Sequence, residues 1–138
     1  FIEIAASKKS QIIVSISEED IIKSDATILS IVLHNLISNA CKFTENGSIE
    51  IIGGFTPTGY SFTVKDNGSG MKKEQKARIL SIVSKVSGHS IMPVTGDHGN
   101  GLGYIIIGEL LEFIKGTLSL ESEVGVGTSV TIQLLILD

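Results

Sequence analysis

The chain has one cysteine, no surplus of basic residues, no long uninterrupted apolar run and no initiator methionine. Cys41 sits in an apolar helical stretch and has no second cysteine to bond with, so it reads as a buried structural thiol suited to a reducing compartment. A formal net charge of -4 and a pI near 5.3 exclude a surface built to neutralise nucleic-acid phosphates, and no nucleic acid is expected as a partner. The stretch from Tyr104 to Ile114 is interrupted by Gly108, Glu109 and Glu112. It falls short of the ~20 apolar residues that cross a bilayer, so no membrane contact is expected of this piece. The chain opens at Phe1 without a basic region ahead of an apolar run, which reads as a fragment with no signal peptide.

What is present fits one globular domain. At 138 residues, with 42% hydrophobic and 19% charged positions, the chain can bury a sizeable core and has no need of disorder. Phe1 to Ser10 is ambiguous and leans to a helix end. Gln11 to Ile16 is β-branched and apolar, a strand. Asp25 is placed to cap a long helix from Ala26 to about Phe43, closed by Asn46-Gly47. Ser48 to Phe55 and Tyr60 to Lys65 read as a hairpin about Thr56-Pro57-Thr58-Gly59. Lys73 to Val86 has mixed helical periodicity, and Ser87 to Asn100, with Gly88, Pro93, Gly96 and Gly99, reads as a mobile loop. A second strong helix runs from Leu102 to Lys115 and ends at Gly116, and Thr117 to Glu121 and Thr128 to Leu137 are strands about a glycine-rich turn. There are no repeats and no linker. The expected class is α+β, a mostly antiparallel mixed sheet with helices on one face.

Four segments carry polar chemistry. In His34-Asn35-Leu36-Ile37-Ser38-Asn39-Ala40-Cys41-Lys42-Phe43-Thr44, the ~100° helical step puts Asn35, Asn39 and Lys42 on one side and Leu33, Leu36, Ile37 and Ala40 about opposite. An amide oxygen suits a Mg²⁺ already bound to phosphates, and a lysine offsets phosphate charge; a solvated helix face has the same pattern. Asp66-Asn67-Gly68-Ser69-Gly70-Met71 follows a strand. Its carboxylate can accept from an exocyclic amino group and its glycines can admit a flat ring, although Asp-Asn-Gly is also an ordinary turn. Gly99-Asn100-Gly101-Leu102-Gly103 enters a helix, where free amides and the dipole favour phosphate. It has neither the Gly-Lys-Ser/Thr ending of a P-loop nor the spacing of a dinucleotide fingerprint. Gly125-Val126-Gly127-Thr128-Ser129 alone is a hairpin turn.

In this order and spacing the four segments resemble the nucleotide-binding boxes of the histidine-kinase catalytic domain, within the superfamily that includes DNA gyrase, the ninety-kilodalton heat-shock chaperone and the mismatch-repair ATPases. The resemblance spans nearly the whole chain. It implies a two-layer α/β sandwich with ATP between helices and a flexible lid, here about 72–98. It makes Asn39 the Mg²⁺ ligand, Lys42 a phosphate contact and Phe43 a wall beside the adenine. Asp66 receives the adenine amino group, with Gly68, Gly70 and Met71 shaping the pocket. Gly99, Gly101, Leu102 and Gly103 lie at the phosphates, and Thr128 supports the adenine end. The implied partners are the parent's own helical dimerisation and phosphoacceptor domain and the receiver domain of a response regulator. The implied parent is a homodimer working in the cytoplasm, with an inner-membrane anchor as one form.

Two departures stand out. The family's Phe-containing lid motif has no aromatic counterpart here, where Ile79-Leu80-Ser81-Ile82-Val83 occupies the place, and the helix bearing the acceptor His is not in the chain. His34 belongs to the Asn-bearing helix, and His89 and His98 read as solvated loop residues. ATP-hydrolysing relatives carry a Glu one turn before the metal-binding Asn; here that position is Asn35, whose amide cannot act as a general base. Phosphoryl transfer to a His of another domain is therefore expected, with Asn35, Asn39 and Lys42 as the catalytic set. A degenerate module that binds without turnover is the alternative, and an autonomous ATPase comes third.

Overall fold

The computed structural model describes residues 11–16, 25–85 and 100–135. The readings made for Phe1 to Ser10, for the loop from Ser87 onward, and for Gly99, His89 and His98 lie outside those residues. The elements are β1 (Gln11–Ser15), α1 (Ala26–Phe43), β2 (Ser48–Thr56), β3 (Gly59–Asp66), α2 (Lys73–Lys85), α3 (Asn100–Phe113), β4 (Gly116–Glu123) and β5 (Gly127–Leu135). The strands make a five-stranded mixed sheet in the order β1-β2-β3-β5-β4, parallel only between β1 and β2. That parallel pair requires a crossover, and α1 lies within it. The α+β class expected from the sequence is what the structure shows.

Alternation along the strands fixes which face is covered. Ile49 and Ile51, then Tyr60, Phe62 and Val64, then Val130, Ile132 and Leu134 are buried, whereas Glu50, Thr63, Lys65 and Gln133 between them point the other way. On that outer face Glu50 pairs with Lys65, and the Thr63 and Thr131 hydroxyls meet at 3.0 Å. The helices complete the core from the opposite side. α3 and the residue after it contribute Tyr104, Ile107, Leu111 and Ile114, one stripe at helical spacing, and α1 contributes Val32, Leu36, Ala40 and Cys41. Eighteen residues long, α1 is apolar enough by composition to span a bilayer. Here its apolar stripe packs on the sheet, and its other positions include His34, Asn35 and Lys42.

Local chemistry explains the boundaries. Asp25 Oδ1 accepts from the Ile28 amide at 2.9 Å and starts α1, and Asn46, in the left-handed region at φ 54, turns the chain toward β2. Pro57 and Thr58 alone bridge the β2–β3 hairpin, since Thr56 already pairs with Gly59. Two expectations shift. α3 begins at Asn100, not Leu102, so Gly101 and Gly103 fall within its first turn. At its other end Lys115, not Gly116, takes the left-handed conformation, at φ 53. Gly116 already opens β4, where a Cβ would come within 2.8 Å of a Leu111 methyl, so it is glycine for packing. α2 is a full helix docked through Ile79, which is 3% exposed, with Leu80, Ile82 and Val83 partly buried beside it.

Candidate functional site

The cavity of interest lies between α1, the inner face of β3 and β5, the loop after β3, and the starts of α2 and α3, with a volume of about 210 Å³. That is below the ~300–1,000 Å³ of drug-sized ligand sites. Its enclosed part suits one flat ring system, with any longer ligand extending outward. α1 gives it a single stripe, Leu36, Asn39, Ala40 and Phe43, at i, i+3, i+4 and i+7. Asn39 is the only polar member of that stripe, and its Nδ2 is buried with no acceptor in hydrogen-bond geometry. A buried amide left in that state costs free energy until a ligand or solvent satisfies it.

Asp66 ends β3 on the sheet's inner face and is only 8% exposed. Its Oδ1 accepts from the Gly68 amide at 2.9 Å and the Thr128 amide at 3.3 Å. Among the described residues no hydrogen bond reaches Oδ2, so the carboxylate is fixed through one oxygen, and Asp66 lines the cavity. Burial pushes the Asp66 carboxyl above its usual range, opposed by those two backbone donors. Tyr104, one turn into α3, lines the same cavity. Burial pushes its phenol up to about 12; the Asn39 side chain works the other way, and the Asp66 charge adds to the rise. Asn39 thus lies near enough to influence Tyr104. With no acceptor in geometry for Nδ2, we treat the pair as a contact and not as a hydrogen bond.

The glycines after Asp66 serve the backbone before they serve a ring. A Cβ on Gly68 would collide with the Phe43 carbonyl at the end of α1, and one on Gly70, at φ 72, with the Glu123 carbonyl in the β4–β5 connection. The Ser69 amide donates to Phe43 O at 3.2 Å and the Gly125 amide to Ser69 O at 2.9 Å. The loop is therefore clamped between the α1 terminus and the turn before β5, which draws two separate sequence segments to one wall.

Of the residues singled out from sequence, the structure brings Asn39, Phe43, Asp66, Gly70, Met71 and Thr128 together around the cavity. Asn35 stands about 100° round α1 from the stripe, and its Nδ2 donates to the Ile31 carbonyl of its own helix at 2.9 Å. Lys42 is exposed, its ammonium 5.9 Å from the centre of the Phe43 ring, at the rim and not in the wall. Gly68 supports the wall without lining it. Gly101, Leu102 and Gly103 form the first turn of α3. Sequence reasoning missed Val64, Val130, Gln75 and Tyr104 in the lining. Val64 and Val130 sit two residues from Asp66 and Thr128, so strand alternation contained the signal; Gln75 and Tyr104 depend on how α2 and α3 dock.

The family model described as "Histidine kinase-, DNA gyrase B-, and HSP90-like ATPase" matches residues 24–137. The chain is 35% identical over 125 residues to the sensor protein EvgS of Escherichia coli K12, covering 85% of this chain and 10% of EvgS. It is 32% identical over 131 residues to the heme sensor protein HssS of Staphylococcus saprophyticus, covering 94% of this chain and 27% of HssS. The chain thus spans a small part of these relatives. Among solved structures, the catalytic domain of histidine kinase ThkA superposes with a TM-score of 0.79 at 24% identity over 99% of this chain and 85% of its own, a likeness of fold. Full-length ShkA, solved in complex with AMPPNP, gives 0.79 at 26% identity over 96% of this chain and 27% of its own. A family match that takes in every described element except β1, on a fold shared with histidine kinase catalytic domains, leaves one conclusion: the chain belongs to the histidine kinase-, DNA gyrase B- and HSP90-like ATPase family.

Proposed function

We propose that this domain binds Mg·ATP in the cavity beside Asp66 and presents the γ-phosphate to a histidine on an adjoining helical domain. The observation that carries the reading is the place of Asp66, a buried carboxylate in the lining of a cavity of base size, held by backbone amides through Oδ1 and with no hydrogen bond to Oδ2 among the described residues. An acceptor held in that way suits the amino group of adenine. Phe43, Met71 and the aliphatic side chains supply the apolar faces against which the ring lies. The phosphates then extend toward the start of α3, where free amides and the helix dipole favour negative charge, with Lys42 at the rim.

Asn39 lines the cavity, and its amide oxygen is a neutral, hard ligand that would hold Mg²⁺ there. Among the described residues no three His, Cys, Asp or Glu side chains gather as a metal site, so the ion's other ligands are assigned to the nucleotide. When bound, Mg²⁺ supplies neutralisation of phosphate charge. The rest of the chemistry asks for positioning, and no general base is assigned to this domain because the amide of Asn35 does not take up a proton near neutral pH. The partners we assign are the parent's phosphoacceptor domain and a response-regulator receiver domain, with a homodimeric parent working on the cytoplasmic side of an inner-membrane anchor.

Titration calorimetry with a non-hydrolysable ATP analogue and Mg²⁺ tests the reading. Micromolar to millimolar binding is expected. Absence of heat and of thermal stabilisation at millimolar nucleotide would favour the second reading, a protein-binding module. That second reading is motivated by Ile79-Leu80-Ser81-Ile82-Val83, which has no aromatic residue where the family's lid motif carries a Phe.

A further inference from the structure

Ser122 lies on β4 directly across from Thr128 of β5. Its hydroxyl meets three groups: it accepts from the Met71 amide at 2.8 Å, donates to the Gly127 carbonyl at 3.1 Å, and lies 2.7 Å from Thr128 Oγ1. A serine hydroxyl has one proton and two lone pairs. A carbonyl can only accept, so Ser122 commits its proton to Gly127, and a backbone amide can only donate, so Met71 takes one lone pair. The other lone pair faces Thr128, so with all three contacts made at once Thr128 is the donor of the 2.7 Å bond, one of the two directions that this pair of hydroxyls allows. The Thr128 proton points at Ser122, and what Thr128 Oγ1 retains for the cavity is acceptor capacity alone. Beside it, the Thr128 amide holds Asp66 Oδ1, which leaves Asp66 Oδ2 as a second acceptor on the same wall.

We propose that Ser122 is a specificity-determining positioning residue: by dictating the direction of the Thr128 hydroxyl bond it keeps the base-recognition wall free of donors, so that the wall takes a 6-aminopurine and rejects a 6-oxopurine. This rests on the nucleotide reading above. A 6-oxopurine turns its C6 carbonyl oxygen toward two acceptors and has only the neighbouring N1–H to offer them, whereas an amino group supplies two protons at the C6 position itself. Without the Ser122 hydroxyl, the Thr128 proton can rotate into the cavity and pair with that carbonyl. Ser122 itself touches no ligand; it acts through Thr128 and through the Met71 backbone.

The test is the ratio of ADP to inosine diphosphate affinity, measured by calorimetry on the wild-type chain and on Ser122→Ala, Ser122→Thr and Thr128→Val. Ser122→Ala is expected to lower the ADP preference by about tenfold, the scale of one hydrogen bond exchanged for another, and Ser122→Thr to restore it. Thr128→Val, with no proton to direct, is expected to keep only the part of the preference that Asp66 supplies, and adding Ser122→Ala to it is expected to change the ratio no further. Equal weakening of both nucleotides in Ser122→Ala overturns the proposal and leaves the hydroxyl as a strand tie. If Ser122→Ala fails to fold by circular dichroism, an unchanged ratio in Thr128→Val overturns it instead. A wild-type chain that binds neither nucleotide overturns the nucleotide reading, and this inference with it.

Discussion

Replacing Asp66 by Asn separates what the carboxylate does for the ligand from what it costs the fold. The Gly68 and Thr128 amides both donate to Oδ1, so they hold the Asn oxygen in that place and put the NH₂ group in the place of Oδ2. Donors then meet the donors of an adenine amino group. A buried mismatch of this kind costs about 1–3 kcal/mol, so ADP is expected to bind about 5- to 150-fold more weakly. Stability moves the other way. Burial raises the Asp66 carboxyl above its ordinary 3.8, so the folded state binds its proton more tightly than the unfolded chain does. The favourable neutral form contributes fully below 3.8 and is lost as pH rises through the raised folded value. Above that value the ionised group works against folding, while Asn, which does not ionise, contributes the same at every pH. The apo variant is thus expected to melt at or above wild type near neutral pH, with its advantage shrinking as pH falls toward 3.8. Thermal melts from pH 3 to 8 with and without ADP provide both readings. An apo variant that is less stable at neutral pH, or one that binds ADP unchanged, would refute the assignment of Asp66 as a carboxylate kept for the ligand.

Further expectations concern the helix and the clamp. Asn39→Ala is expected to lose the Mg²⁺-dependent part of ATP affinity, about tenfold or more, and to abolish phosphorylation of a supplied phosphoacceptor domain, whereas Asn35→Ala, losing only a bond to its own helix, is expected to stay within a few-fold of wild type by the same assays. Both keep the helix, since Ala is the best helix former, and circular dichroism checks it. Gly70→Ala, at φ 72 and against the Glu123 carbonyl, is expected to destabilise by more than about 1 kcal/mol in urea unfolding, while Gly54→Ala, with open space around its Cβ, is expected to be near neutral. Ile79→Ala, which opens a hole where α2 meets the core, is expected to cost about 2–5 kcal/mol.

What could be read from sequence was what local chemistry decides. The bounds of α1 follow from an Asp cap and a polar turn, and the β2–β3 hairpin from strand alternation about Pro57 and Thr58. Asn39 and Asp66 stand out only when all four segments are taken in order, through the resemblance; each segment alone fits a solvated helix face or an ordinary turn. Contacts made across the sheet were not legible. Ser122 gains its three partners only once β4 pairs with β5 so that it faces Thr128, and no local pattern encodes that register. Gly68 and Gly70 were read as making room for a ring, yet the atoms nearest their missing side chains are the Phe43 and Glu123 carbonyls, distant in sequence. Helical periodicity likewise grouped Leu33 and Ile37 with Leu36 and Ala40. Packing buries the latter two and leaves the former half-covered along a groove with Ala26 and Leu29.

The central claim, that a nucleotide base sits against Asp66 between α1 and the inner face of the sheet, is tested most directly by following backbone and side-chain amide resonances during an ADP titration. The Gly68 and Thr128 backbone amides and the Asn39 side-chain NH₂ are expected to shift in a saturable, concerted way, while Thr63 and Thr131 on the outer face stay still. Saturable shifts confined to the outer face or to the groove along Leu29 and Leu33, or no shifts at millimolar ADP, would contradict it.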